Sequence, residues 1–189
     1  MLNLILASRS PRRAELLTAA GFDFTVRAAD IDETPRQSED PRTYVLRMAE
    51  EKARAIESSG GEIIIAADTI VLLGENGDGE IMGKPRDADD ATRMLRALSG
   101  KRHEVITAIC LRCDHKTQLE IASTAVWFAP LNDREIEDYV SSGEPMDKAG
   151  AYGIQGLASC FIERIDGSYS NVVGLPVAVL YKQLGQFAK

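Results

Sequence analysis

Asp68 stands inside Ile63-Ile64-Ile65-Ala66-Ala67-Asp68-Thr69-Ile70-Val71-Leu72-Leu73, a run otherwise almost wholly apolar. Such a run predicts a strand buried on both faces. A carboxylate there is costly unless it is paired or binds a metal, and perturbed carboxylates gather at functional sites. A structural hydrogen bond to a neighbouring turn is the plainer alternative. A second group opens the chain: Leu2-Asn3-Leu4-Ile5-Leu6-Ala7-Ser8-Arg9-Ser10-Pro11-Arg12-Arg13. A short apolar run gives way to serines and then to a helix, with Ser10 expected as N-cap and Pro11 in the first helical position. Arg12 and Arg13 fall in the first turn, where the helix dipole disfavours cations. An anion held by backbone N–H groups, the serine hydroxyls and both guanidiniums would reverse that penalty. The alternative is a solvated basic turn; the strand-to-helix context, in which α/β folds bind phosphate, favours the anion.

Other side chains have a bearing on the same chemistry. Glu33 lies in the acidic loop Asp30-Ile31-Asp32-Glu33-Thr34-Pro35, directly after a predicted short strand. It is placed to hold a divalent cation, or is one of several solvated carboxylates. Lys52 falls on the apolar stripe Val45, Met48, Ala49, Ala53, Ile56 of a predicted helix. It either snorkels to the rim or reaches over the two alanines into an anionic cleft, where a substrate phosphate would partner it. Lys84, between Gly83 and Pro85, has its backbone restricted by the following proline, which helps aim it; a solvated loop lysine is the alternative. Residues 142–156 carry four glycines and two alanines, inviting close backbone approach. There an amide, Gln155, and an aromatic, Tyr152, are expected to face a planar ligand, or the segment is a tight turn with a frayed helix. Cys110 and Cys113 have no second pair to close a zinc site and point to opposite faces of a strand, so they read as structural.

The elements that must position these groups follow from caps and periodicity. Gly21 stops the first helix, and residues 22–27 alternate like a strand. Asp40-Pro41 opens the helix carrying Lys52, and Gly60-Gly61 breaks it. The run holding Asp68 turns through residues 74–79 and returns at 80–85 as a hairpin. Asp87 or Asp89 caps a helix presenting Ala91, Met94, Leu95 and Leu98 and ending at Ser99-Gly100. Two long β segments, 102–113 and 117–128, are followed by a helix capped by Asn132, a strand at 161–165 and a final helix over 177–184. This is an α/β pattern. At 189 residues the chain is one domain or two closely joined lobes. Its net charge of −7 argues against a polyanion-binding surface, so a phosphate site must be a local pocket of cations and no nucleic-acid partner is expected. No run approaches membrane-spanning length, and residues 4–7 are too short for a signal core. An odd count of three cysteines fits a reducing compartment, so a cytoplasmic location without membrane contact is expected.

Leu6-Ala7-Ser8-Arg9-Ser10-Pro11-Arg12-Arg13, Ala67-Asp68-Thr69-Ile70-Val71, Gly83-Lys84-Pro85, Leu98-Ser99-Gly100 and Glu144-Pro145-Met146-Asp147-Lys148-Ala149-Gly150-Ala151-Tyr152 together resemble the Maf family of nucleoside triphosphate pyrophosphatases. They occur in the family's order over essentially the whole chain. The resemblance implies a single Maf-like domain over 1–189, with a mixed, elongated sheet flanked by helices, two lobes around a nucleotide-binding cleft, and a homodimer. It implies that Ser8, Arg12, Arg13, Lys52 and Lys84 cradle a triphosphate. Glu33 and Asp68 would serve Mg2+ or Mn2+ and the attacking water, with Asp68 matching the family's base. The implied reaction is in-line attack of water at the α-phosphorus, releasing a nucleoside monophosphate and pyrophosphate. Residues 147–156 and 167–176 resemble the branch that prefers dTTP and UTP over 7-methyl-GTP, in which Arg13, Thr69 and Gln155 match positions associated with substrate choice. A glutamine amide offers the donor and acceptor that meet the carbonyl and N3–H edge of thymine or uracil, and modified pyrimidines keeping that edge are expected to be accepted too. The family name reflects septum formation and growth arrest, so a role in division arrest, or in keeping modified nucleotides from incorporation, comes with the resemblance. A nucleotide-responsive binding protein is the competing class; Asp68 counts against it, because a buried anion weakens polyphosphate binding without a metal. An inosine/xanthine triphosphate pyrophosphatase is the alternative among enzymes, but its glycine-rich start is absent at Ser8–Arg13.

Overall fold

Branched and apolar runs pair into a seven-stranded sheet: β1 (Asn3–Leu6), β2 (Phe24–Val26), β3 (Glu62–Glu75), β4 (Asp78–Met82), β5 (Arg102–Cys113), β6 (Lys116–Phe128) and β7 (Ile162–Asp166). The structure, a computed structural model, describes residues 2–28, 30–75 and 78–187; Asn76 and Gly77 of the expected hairpin turn lie outside them. The strand order is β2-β1-β3-β5-β6-β7, with β4 pairing β3 off that path. β1 runs parallel to β2 and β3, whereas β3–β4 and β6–β7 are antiparallel, so the sheet is mixed. The helices are α1 (Pro11–Ala19), α2 (Pro41–Arg54), α3 (Ala88–Leu98), α4 (Asp133–Ser141), α5 (Tyr169–Val173) and α6 (Val177–Leu184). The mixed α/β class is the one the sequence predicts. No helix among the described residues is long and apolar enough to cross a membrane.

The chain divides into two compact units, neither continuous in sequence. The first comprises Met1–Asp68, Thr107–Ala122 and Gly174–Lys189; the second comprises Thr69–Ile106 and Ser123–Val173. In the first, Leu4 and Leu6 of β1 lie in register with Ile63 and Ile65 of β3 and pack with Leu17, Ile109, Leu111, Leu180 and Leu184. The intervening Ile5 and Ile64 are buried too, as expected for parallel strands covered on both faces. In the second, the apolar stripe of α3 packs with Ile136 and Tyr139 of α4 and with Phe128, Tyr152 and Phe161, whose rings meet edge to face.

Caps mostly fall where the sequence puts them. Asp40 accepts the N–H groups of Arg42 and Thr43, Asp87 rather than Asp89 caps α3, and Asn132 forms a capping box with Glu135. Ser10 differs: its side chain caps nothing, and its own N–H donates to Ser8 Oγ at 3.2 Å. α2 ends at Arg54, before Gly60, because the Arg112 guanidinium arrives from β5 and takes the carbonyls of Ala53 and Ile56. Those late carbonyls would otherwise lack partners, so a side chain fills the role expected of the glycines. β2 is shorter than predicted, β4 begins two residues before and ends three residues before the expected return strand, and β7 starts one residue later. α5 forms between β7 and the final helix, where the sequence predicts no element; its fully buried Asn171 donates to Val105 O and Thr124 Oγ1 at 2.9 Å each.

Candidate active site

At the start of α1, Ser8 is buried at the end of β1 and accepts from Ser10 N–H and Arg13 Nη1, each at 3.2 Å, which leaves its own O–H as a donor. Arg13 is a clip as well as a charge. Its Nη1 donates to Ala67 O and its Nε to Gly174 O, both at 2.8 Å, tying the helix start to the residue before Asp68 and to the approach to α6. Burial pushes the Arg13 pKa down, the Asp68 charge pulls it back up, and neighbouring Arg12 adds repulsion. Both guanidinium charges stand at a helix start, where the dipole disfavours cations. Arg9, beside them in sequence, pairs with Asp30 at the surface at 3.3 Å.

Lys52 brings the acidic loop and the buried strand together. Its ammonium lies 2.5 Å from Asp68 Oδ1 and 2.7 Å from Glu33 Oε1. It reaches there over Ala49 and Ala53, both fully buried, so of the two readings of this residue the structure takes the inward one. Asp68 is 8% exposed. Burial raises its pKa above the usual carboxylate range, opposed by Lys52 and then Arg13, while Glu33 raises it further. Glu33 is aimed by its loop. Tyr44 Oη donates to the Glu33 carbonyl at 2.9 Å, and the Arg47 fork holds both oxygens of Glu39 at 2.6 Å while reaching Thr34 O at 3.3 Å. The Arg47 hydrogen bonds push Glu39 down to about 2, and burial next to Asp68 and Glu33 pushes Tyr44 up to about 12.

Two carboxylates converging on one cation form the oxygen pair that Mg2+ or Mn2+ takes when phosphate oxygens and water complete the shell. The described residues hold no cluster of three or more His, Cys, Asp or Glu side chains suited to a metal. Glu33 and Asp68 are the two carboxylates that meet at the Lys52 ammonium.

The remaining predicted residues lie in the second unit. Thr69, next to Asp68 in β3, is half-buried; Lys84 is exposed just past β4; Gln155 is half-buried. The segment bearing Gln155 is a chain of short 3-10 turns, Glu144–Asp147, Ala149–Ala151 and Leu157–Phe161, not a frayed helix. Gly150 N–H donates to Gly83 O at 3.0 Å, linking this segment to the residue before Lys84. Gly150 has φ +68°, and a Cβ there would stand 2.8 Å from Val71 Cγ2, so a larger residue does not fit. Tyr152 corrects the sequence expectation: it faces no ligand but is a core residue, 5% exposed and packed on Phe128 and His103. Cys110 is buried and Cys113 half-buried, both unpaired thiols; burial pushes Cys110 up to about 12, in keeping with a structural role. Sequence reasoning missed the Arg13 clip, the Tyr44 and Arg47 tethers, and His103.

An α/β protein with a buried strand aspartate, a lysine bridging it to a second carboxylate, and a helix opening on two arginines has the parts that polyphosphate chemistry requires. The model of the Maf-like protein family matches residues 3–187, and the chain belongs to that family. A dTTP/UTP pyrophosphatase of Anaeromyxobacter dehalogenans (strain 2CP-1) is 56% identical over 179 residues, covering 93% of this chain and 89% of the relative. One from Shewanella oneidensis (strain MR-1) is 53% identical over 185 residues, covering 93% of each. A solved Ham1 protein of Staphylococcus aureus aligns over 85% of this chain and 79% of its own at 16% identity and a TM-score of 0.46, too distant to bear on function.

Proposed function

We propose that this chain is a nucleoside triphosphate pyrophosphatase that hydrolyses dTTP and UTP to the monophosphate and pyrophosphate. The observation that carries the chemistry is the buried Asp68 carboxylate, held 2.5 Å from an ammonium that also contacts Glu33. The names of relatives more than half identical over nearly the whole chain support the substrate.

Asp68 takes the proton of the attacking water as the oxygen bonds to the α-phosphorus and the bond to the leaving pyrophosphate breaks. Burial makes its carboxylate more basic than in water, the direction a general base needs, with Lys52 and Arg13 opposing that rise. A nucleoside triphosphate carries close to four negative charges. Lys52, Arg12 and Lys84 offset them, Arg13 adds its charge from its clipped position, and the Ser8 hydroxyl donates to a phosphate oxygen. Glu33 and Asp68 would hold Mg2+ or Mn2+, which when bound neutralises phosphate charge and polarises the phosphorus. Gln155 meets the thymine or uracil edge with one donor and one acceptor; cytosine presents the reverse pattern, so an amide held in one orientation is mismatched at both contacts. Thr69 and Arg13 flank this choice, as the family resemblance implies. Modified pyrimidines that keep the N3–H edge are substrates on the same grounds. Clearing them, or an effect on division, would be the physiological use, with the protein acting as a cytoplasmic homodimer.

The test is hydrolysis of UTP in oxygen-labelled water with product identification. Label in the monophosphate and none in pyrophosphate is expected. Nucleoside diphosphate and orthophosphate as the primary products would overturn the reading.

A further inference from the structure

Gln155 lies on a short arch, residues 153–155, and the groups that hold the arch are all in the second unit. On its N-terminal side Tyr152 Oη is 2.7 Å from His103 Nε2. His103 is fully buried, and both rings meet Phe128 edge to face. Burial drives the His103 pKa down to about 4, so the pair is neutral at ordinary pH and joined by a single shared hydrogen. On the other side stands the Glu144 carboxylate. Its Oε2 accepts the Leu157 N–H at 3.1 Å and its Oε1 accepts the Tyr139 hydroxyl at 3.3 Å. It also fills the space over Gly156, whose φ is +81° and where a Cβ would lie 2.7 Å from Oε1. Beneath the arch runs the Lys148 stem, with its ammonium on Glu144 O at 2.5 Å and Asp147 Oδ1 at 2.7 Å. A Cβ at Gly153 would approach Lys148 Cε to 2.8 Å.

We propose that Glu144 and the His103–Tyr152 pair are positioning residues for Gln155, and thereby set the enzyme's choice among pyrimidines. This rests on the reading of Gln155 as the group that meets the base. A donor–acceptor match to a pyrimidine edge is directional, and it discriminates only if the amide arrives in one orientation. A loosened arch keeps one hydrogen bond to either base and loses the distinction, while the groups around Asp68 are untouched. A carboxylate is specifically suited to position 144 because it meets two donors with two acceptors, whereas glutamine would turn an NH2 group toward one of them.

Glu144→Gln and Tyr152→Phe, each nearly constant in volume, test the proposal through steady-state kinetics on UTP and CTP and through amide hydrogen exchange. In both variants KM for UTP should rise about tenfold, kcat should stay within about threefold, and the UTP-to-CTP ratio of kcat/KM should fall about tenfold, the scale of one lost hydrogen bond. Amides of residues 153–157 should exchange faster than in the wild type. Variants that lose thermal stability but keep the wild-type UTP-to-CTP ratio would overturn the positioning role and leave the parent reading standing. A wild-type protein with equal rates on UTP and CTP would instead overturn the base-recognition reading, and this proposal with it.

Discussion

Lys52 meets Glu33 and Asp68 through opposite charges, whereas the arch bearing Gln155 rests on directional hydrogen bonds, packed rings and glycines with no room for a Cβ. The first arrangement is built to be rearranged. A triphosphate and its cation can each replace a partner in it, because charges exchange partners at small net cost when another charge arrives. The second has no such substitute: breaking the His103–Tyr152 contact leaves buried polar atoms unpaired. On the proposed function, chemistry falls to groups that can exchange partners, and choice of substrate to groups that cannot.

The largest expected effect falls on the charged side. Asp68→Asn keeps the volume but cannot take a proton, and kcat should fall by ~10²–10⁴ while nucleotide affinity, measured by direct titration, changes little. A kcat within a few-fold of wild type would remove Asp68 from the mechanism.

The neutral side should show itself in acid. The His103 pKa is depressed on folding, so the unfolded chain binds a proton that the folded chain refuses between about 4 and the ordinary 6.5. Stability from the neutral ring is therefore present above pH 6.5 and lost as pH falls through about 4, a swing of ~3 kcal/mol for a shift of this size. The unfolding free energy of the wild type minus that of His103→Phe, measured with denaturant, should fall by about that amount between pH 6.5 and pH 4. A constant difference would mean that His103 is not held neutral by burial.

Lys52→Met sharpens the contrast further. With the bridging ammonium removed, Glu33 and Asp68 are left facing each other, and Mn2+ titrated calorimetrically into the nucleotide-free protein should bind severalfold more tightly, even as UTP binds more weakly. Unchanged Mn2+ affinity would show that the two carboxylates do not share a cation. The smallest effect belongs to Cys113→Ser, half-buried and remote in role. Activity should be unchanged and unfolding free energy should move by no more than ~0.5 kcal/mol.

The charged side is the more legible in the sequence. An aspartate in an apolar strand and a lysine on an apolar helix stripe each violate a local pattern, and violations show in one dimension. The caps Asp40 and Asn132 are readable because the groups they satisfy lie within three residues. The neutral side leaves fewer traces. Tyr152 reads as available to a ligand because nothing near it in sequence announces His103, 49 residues away. Arg13 reads as a phosphate cation alone, since its contact with the Gly174 carbonyl spans 161 residues. The end of α2 is set by Arg112, and the glycines that local rules would credit with it come after. Contacts of this kind are fixed by the fold, and local periodicity does not carry them.

One set of kinetics tests the division between the two sides most directly: kcat/KM on UTP and on CTP for the wild type, Asp68→Asn and Gln155→Ala. Asp68→Asn should lower both values by a common factor and leave their ratio at the wild-type figure, while Gln155→Ala should collapse the ratio mainly by lowering the value for UTP. A ratio that changes with Asp68 and survives the loss of Gln155 would contradict the account.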